Sequence, residues 1–188
     1  MKIILASNSP RRKELLAGLG YDYEVRVLSD IDESYPDALK GSEVASYISR
    51  VKAAAYAQSM GDDELIITAD TIVCLDDQVL GKPADEAEAI SMLRSLSGRT
   101  HQVYTGVTLT TKEKQSSFVS CSHVTFASLT DEEIQHYVTN YRPMDKAGAY
   151  GIQVWIGYIG VERIEGSYFN VMGLPVQRLY TELKTLLA

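Results

Sequence analysis

The chain has 188 residues, 45% of them hydrophobic and 23% charged, enough for one folded core in a single domain, 1–188, with room for two lobes. No apolar run approaches the roughly 20 residues of a membrane helix. Met1–Ala6 is too short an apolar run for a secretion signal, so a cytoplasmic protein with no membrane partner is expected. The net charge of −7 disfavours broad nucleic-acid binding, so any polyanionic ligand must be met by cations gathered locally.

In chain order, Lys2–Ala6 reads as a buried strand. Ser9 is a good N-cap and Pro10 a good first helical residue, with Leu15, Leu16 and Leu19 as an apolar stripe ending near Gly20. Tyr23–Leu28 alternates as a strand, and the acidic stretch with Asp30, Asp32, Glu33 and Asp37 follows. Ser42 opens a helix with Val44, Ile48, Val51 and Ala55 on one face. Leu65–Ala69 is a continuous apolar run of the kind covered on both faces, continued by Thr71–Leu75, turned at Asp76-Asp77 and followed by Val79-Leu80. Gly81-Lys82-Pro83 is a loop. Asp85 with Glu88, and Thr130 with Glu133, are capping boxes for two further helices. Val103–Thr110 and Ser117–Phe126 read as long neighbouring strands, Val154–Arg163 as another strand, and Gly173–Leu187 as a closing loop and helix. The segment Pro143–Gln153 has no clear period. The sum predicts an α/β fold with a mixed sheet.

The cysteines, Cys74 and Cys121, are far apart with no metal-ligand spacing, and both are expected to be core thiols. Neither a phosphate-cradling GxxxxGK[ST] loop nor a G-x-S-x-G elbow occurs, and His101, His123 and His136 read as structural.

Three places carry chemistry. The strand–turn–helix at Ala6–Leu16 sets the hydroxyls of Ser7 and Ser9 and the amide of Asn8 at a helix N-terminus, an anion-favouring end. Arg11, Arg12 and Lys13 crowd the first turn, where cations oppose the helix dipole unless an anion binds. In Thr68-Ala69-Asp70-Thr71 a carboxylate ends an apolar strand, where it could hold Mg²⁺ or deprotonate water; Asp32 and Glu33 could add oxygen ligands. Lys82, set between a glycine and a proline, is a well-oriented point charge for phosphate. Lys52 and Lys146 are further cations that, taken singly, read as solvent-exposed.

Six segments together resemble the Maf family of nucleotide pyrophosphatases. They are Leu5–Leu16, Ala69–Val73, Gly81–Pro83, Met92–Gly98, Asp145–Gln153 and Val171–Pro175, in family order over nearly the whole chain. The resemblance implies an elongated fold like that of inosine-triphosphate pyrophosphatases, with two lobes around a cleft. It implies hydrolysis of a nucleoside triphosphate to monophosphate and pyrophosphate, assisted by Mg²⁺, Mn²⁺ or Co²⁺, and allows a homodimer. Asp70 matches the proton acceptor, Glu33 and Asp70 the metal site, and Ser7, Arg11, Arg12, Lys52 and Lys82 the phosphate pocket. Arg12, Thr71 and Gln153 match the determinants of the dTTP/UTP branch. The same grip would serve a nucleotidase releasing orthophosphate or a nucleotide-binding regulator of cell division. The chain departs from the family where Val154-Trp155-Ile156 precede Gly157, so a differently shaped loop is expected there.

Overall fold

The computed structural model describes residues 1–187. One mixed seven-stranded sheet runs in the order β2-β1-β3-β5-β6-β7, with β4 paired to β3 off this path. The strands are β1 (Lys2–Leu5), β2 (Tyr23–Val25), β3 (Glu64–Leu75), β4 (Gln78–Leu80), β5 (Thr100–Thr110), β6 (Gln115–Phe126) and β7 (Val161–Glu165). β1 is parallel to both β2 and β3, whereas β3, β5, β6 and β7 form an antiparallel meander. The helices are α1 (Pro10–Ala17), α2 (Ser42–Ala57), α3 (Glu86–Leu96), α4 (Asp131–Tyr141), α5 (Trp155–Gly160), α6 (Tyr168–Met172) and α7 (Val176–Leu187). None of the described helices is long and apolar enough to cross a membrane.

Period-two alternation divides the core. Leu65, Ile67 and Ala69 of β3 join Ile3, Leu5 and Leu16 in the larger cluster. The intervening Ile72 and Cys74 face α2 beside Val44, Ala45 and Ile48. α2 approaches this face at Gly106 of β5, where an added Cβ would stand 2.3 Å from the Ala45 carbonyl oxygen.

Several sequence expectations are corrected. Val154–Arg163 is not one strand: α5 forms first, and β7 begins only at Val161. A short apolar run is ambiguous in period, and Gly157 winds tightly enough that a Cβ would strike the Ile152 carbonyl. β2 stops at Val25, because beyond it Tyr56 Oη takes the backbone, donating to Arg26 O and accepting from Leu28 N. α6, capped by Ser167, was not foreseen. Thr130 and Glu133 form the full capping box, whereas Glu88 Oε2 accepts from Ala84 N and leaves the Asp85 box half made. Cys74 is buried, but Cys121 lies exposed on β6.

His101 is fully buried on β5, its Nε2 2.6 Å from the Tyr150 hydroxyl and its ring edge-on to Phe126. Burial holds its imidazole down to about 4. The unfolded chain therefore binds this proton first as pH falls below 6.5, and stability is lost progressively until the folded pKa is passed. Between these limits the loss is on the order of 3 kcal/mol. Denaturant titrations from pH 7 to pH 4 should show a flatter acid limb in His101→Gln by about that amount. Gly106→Ala should cost roughly 1–3 kcal/mol of stability in the same assay, since α2 must lift from the sheet.

Candidate active site

The sheet is interrupted on one side of β3. β1 pairs with it only as far as Leu5 opposite Ile67, with Ala6 N adding a last bond to Ile67 O, and β4 begins only opposite Val73. The stretch 68–72 therefore has a free edge on that side, and a cavity of about 840 Å³ opens along it. Because successive side chains point to opposite faces, Asp70 looks towards α2 and Thr71 towards α1.

On the α2 face, Lys52 Nζ donates to Asp70 Oδ1 at 2.8 Å and lies 3.2 Å from Glu33 Oε1. The Lys52 and Asp70 side chains are each only 13% exposed, so this pair is shielded enough to persist, while Glu33 reaches in from solvent. The Asp70 Oδ2 atom has no hydrogen-bond partner among the described residues. One ammonium thus bridges two carboxylates. Among the described residues no three His, Cys, Asp or Glu side chains cluster as a ready-made metal cage. Two carboxylates on one cavity lined by several cations nevertheless suit Mg²⁺, which commonly takes one or two protein carboxylates, substrate phosphates and water.

On the other face, Arg12 is nearly saturated. Nε donates to Gly173 O at 2.8 Å, Nη1 to Ala69 O at 3.0 Å and to Ser7 Oγ at 3.5 Å, and Nη2 to Thr71 Oγ1 at 3.1 Å. Burial lowers its pKa, an effect opposed by nearby Asp70. Arg11 Nε donates to Met172 O at 3.2 Å, and Nη1 lies 3.8 Å from Asp145. The first turn of α1 thus grips the end of α6 through two consecutive carbonyls.

At the helix end itself, Ser9 N donates to Ser7 Oγ and Arg12 N to Ser9 Oγ, so part of the anion-binding potential is already used internally. Lys13 turns outward to Asn8. Lys82 lines the cavity, exposed and without an ion pair among the described residues. Gln153 also lines it, and its Oε1 is buried without a partner.

The nine residues that the family resemblance assigns to the site therefore border one cavity: Ser7, Arg11 and Arg12 from the first turn, Glu33 and Lys52 from the α2 side, and Asp70, Thr71, Lys82 and Gln153. Two expectations change in detail. Asp70 is not at the end of its strand but mid-strand, beside the point where β1 ends. Asp32 does not line the cavity and instead caps Ser34 N at 2.9 Å. Asp30, Tyr35, Tyr150 and Asp145 line it without having been foreseen. Asp145 and Tyr150 lie in the aperiodic segment, and the signals for them were that missing period and the family resemblance of Asp145–Gln153.

The family profile described as Maf-like protein matches residues 2–186. The dTTP/UTP pyrophosphatase of Phocaeicola vulgatus is 66% identical over 185 residues, covering 98% of this chain and 96% of that protein. The dTTP/UTP pyrophosphatase of Bacteroides thetaiotaomicron is 64% identical over the same length, with the same coverage of 98% and 96%. Among solved structures, the Staphylococcus aureus Ham1 protein aligns with a TM-score of 0.50 at 16% identity, over 68% of this chain and 72% of that one, a likeness of fold alone. The mixed α/β architecture, a seven-stranded sheet with flanking helices, is shared with that Ham1 protein. With the match running from the first strand to the last helix, the chain belongs to the Maf-like family.

Proposed function

We propose that this chain hydrolyses dTTP and UTP, and modified pyrimidine relatives, to the monophosphate and pyrophosphate, clearing them from the nucleotide pool. The observation that carries the reading is the Lys52 ammonium held between Asp70 and Glu33, on the same cavity as the basic first turn of α1. The activity named for the 66% and 64% identical relatives supports the substrate class.

In this reading Arg11, Lys82 and Lys52 neutralise the phosphate chain, and the Ser7 hydroxyl orients it. Phosphoryl chemistry asks mainly for such positioning and charge balance. Glu33 and Asp70 would hold a divalent cation, Mg²⁺, Mn²⁺ or Co²⁺, which when bound supplies charge neutralisation across the phosphates and Lewis acidity. Lys52 shifts from Asp70 to phosphate oxygen as the triphosphate enters. Asp70 then takes the proton of the water attacking the α-phosphorus. The α–β anhydride bond breaks, and pyrophosphate leaves against Lys82 and Arg11. Arg12 serves chiefly as a strut that fixes Thr71 and Gly173. Gln153 offers its unpaired amide oxygen to a donor on the base. The reading also carries a cytoplasmic location and a homodimer, the latter checked by sedimentation of the purified chain.

A panel of nucleoside triphosphates with Mg²⁺, followed for pyrophosphate and orthophosphate separately, should give pyrophosphate from UTP and dTTP. A purine-only profile, or orthophosphate as first product, would overturn the assignment. Asp70→Asn should lower kcat by roughly 10²–10⁴-fold while nucleotide affinity stays within a few fold. Undiminished turnover in that variant would remove Asp70 from the mechanism.

A further inference from the structure

Thr71 borders the cavity from the free edge of β3, yet its proton is already committed elsewhere. Arg12 Nη2 donates to Thr71 Oγ1 at 3.1 Å. The hydroxyl oxygens of Thr71 and Thr105, a cross-strand pair on β3 and β5, are 2.8 Å apart. Thr105 Oγ1 in turn donates to the Asn170 carbonyl at 3.1 Å. A hydroxyl has one proton to give. Thr105 gives its own to Asn170, so Thr71 must be the donor in the bond between them. The guanidinium has no lone pair, which fixes the other end. The competing acceptor for the Thr71 proton, Gly173 O, is 3.5 Å away and already accepts from Arg12 Nε.

The far end of this hydrogen-bonded chain is anchored, although Asn170 Oδ1 is buried without a partner among the described residues. Asn170 Nδ2 donates to Val103 O at 3.1 Å and to Ser122 Oγ at 3.0 Å, and Ser122 Oγ donates to Ser167 O at 2.9 Å. Thr105, Ser122 and Asn170 are all fully buried. Buried hydrogen bonds of this kind are costly to leave unmade, so their direction does not fluctuate freely.

We propose that Thr105 is a positioning residue for substrate selection: by taking the Thr71 proton it presents Thr71 Oγ1 to the cavity as an acceptor only. The nucleoside group that meets it must then be a donor, either a ring N–H or a sugar hydroxyl. The inference rests on the triphosphate reading above. Thr105 itself touches no substrate, and its effect is on discrimination.

The test compares kcat/KM for two parent substrates with analogues lacking one donor each. UTP is paired with cytidine triphosphate, whose ring N3 accepts where uracil N3–H donates. dTTP is paired with 3′-O-methylthymidine triphosphate, whose 3′ oxygen accepts but cannot donate. Each is measured in the wild type and in Thr105→Val, Thr105→Ala and Thr105→Ser, with thermal denaturation as the check on folding. In the wild type one analogue should fall at least about tenfold below its parent, which identifies the donor. In Thr105→Val and Thr105→Ala that gap should close to under about threefold, because the freed Thr71 proton can turn to the cavity, and Thr105→Ser should restore it. The alanine variant keeps the test usable if valine disturbs packing. An unchanged gap in both variants, or no gap for either analogue in a wild type that turns over both parents, overturns the inference. A wild type that releases no pyrophosphate from either parent sinks the underlying reading, and this inference with it.

Discussion

Everything at the site depends on a five-residue stretch of β3 that is paired with β5 on one side and has no strand on the other. Backbone groups left without a strand partner must be satisfied by something else, or the edge becomes a template for other chains. Here the outward carbonyl of Ala69 accepts from Arg12 Nη1 at 3.0 Å and lies 3.5 Å from Lys52 Nζ. The two cations that reach the cavity from opposite faces therefore also satisfy a backbone carbonyl on the open edge of the sheet. On the proposed reading, structure and ligand binding draw on the same side chains, and Arg12, with its donors already engaged, is a strut before it is a phosphate hook.

The electrostatics follow from that economy. An acidic chain of net charge −7 holds several cations around one cavity, and without a ligand they would repel one another. Intramolecular partners prevent this: Lys52 sits on Asp70 and Glu33, Lys146 on Asp145, and Arg11 near Asp145. Lys82, exposed at the mouth, carries no such partner among the described residues. An incoming triphosphate must compete with these carboxylates for the cations. On the proposed reading, a triphosphate arriving with a divalent ion satisfies both sides of the exchange, its oxygens replacing carboxylates on the cations while the ion takes the carboxylates.

The legible parts of the molecule are those whose local chemistry leaves one choice. Ser9-Pro10 could only cap and begin a helix, the Thr130 and Glu133 box could only start one, and Leu65–Ala69 could only be buried. The residues of the site were legible as types gathered near β1 and β3, and through the family resemblance. What stayed hidden depends on contacts distant in sequence. Trp155–Gly160 reads as strand in the sequence but is helix in the fold, where Gly157 packs against the Ile152 carbonyl. Glu33 and not Asp32 turns inward because Lys52, nineteen residues later, is there to receive it. The saturation of Arg12 needs Gly173, which lies 161 residues away.

The juxtaposition of Asp70 and Thr71 shows why the free edge matters more than any one residue. Neighbours on a strand point to opposite faces, and within an intact sheet they would belong to separate environments. Had β1 continued past Leu5 or β4 begun before Val73, the Asp70 carboxylate would lie under α2, and the Thr71 hydroxyl in the larger core, with a strand between them. Ending one partner and delaying the next lets both faces open into a single cavity. A carboxylate shielded by a lysine and a hydroxyl polarised by an arginine then face one cavity from two sides of one strand, held at a separation set by the backbone alone. That spacing does not rely on loop conformation, so on the proposed reading the chemistry on one face and the discrimination on the other stay in register.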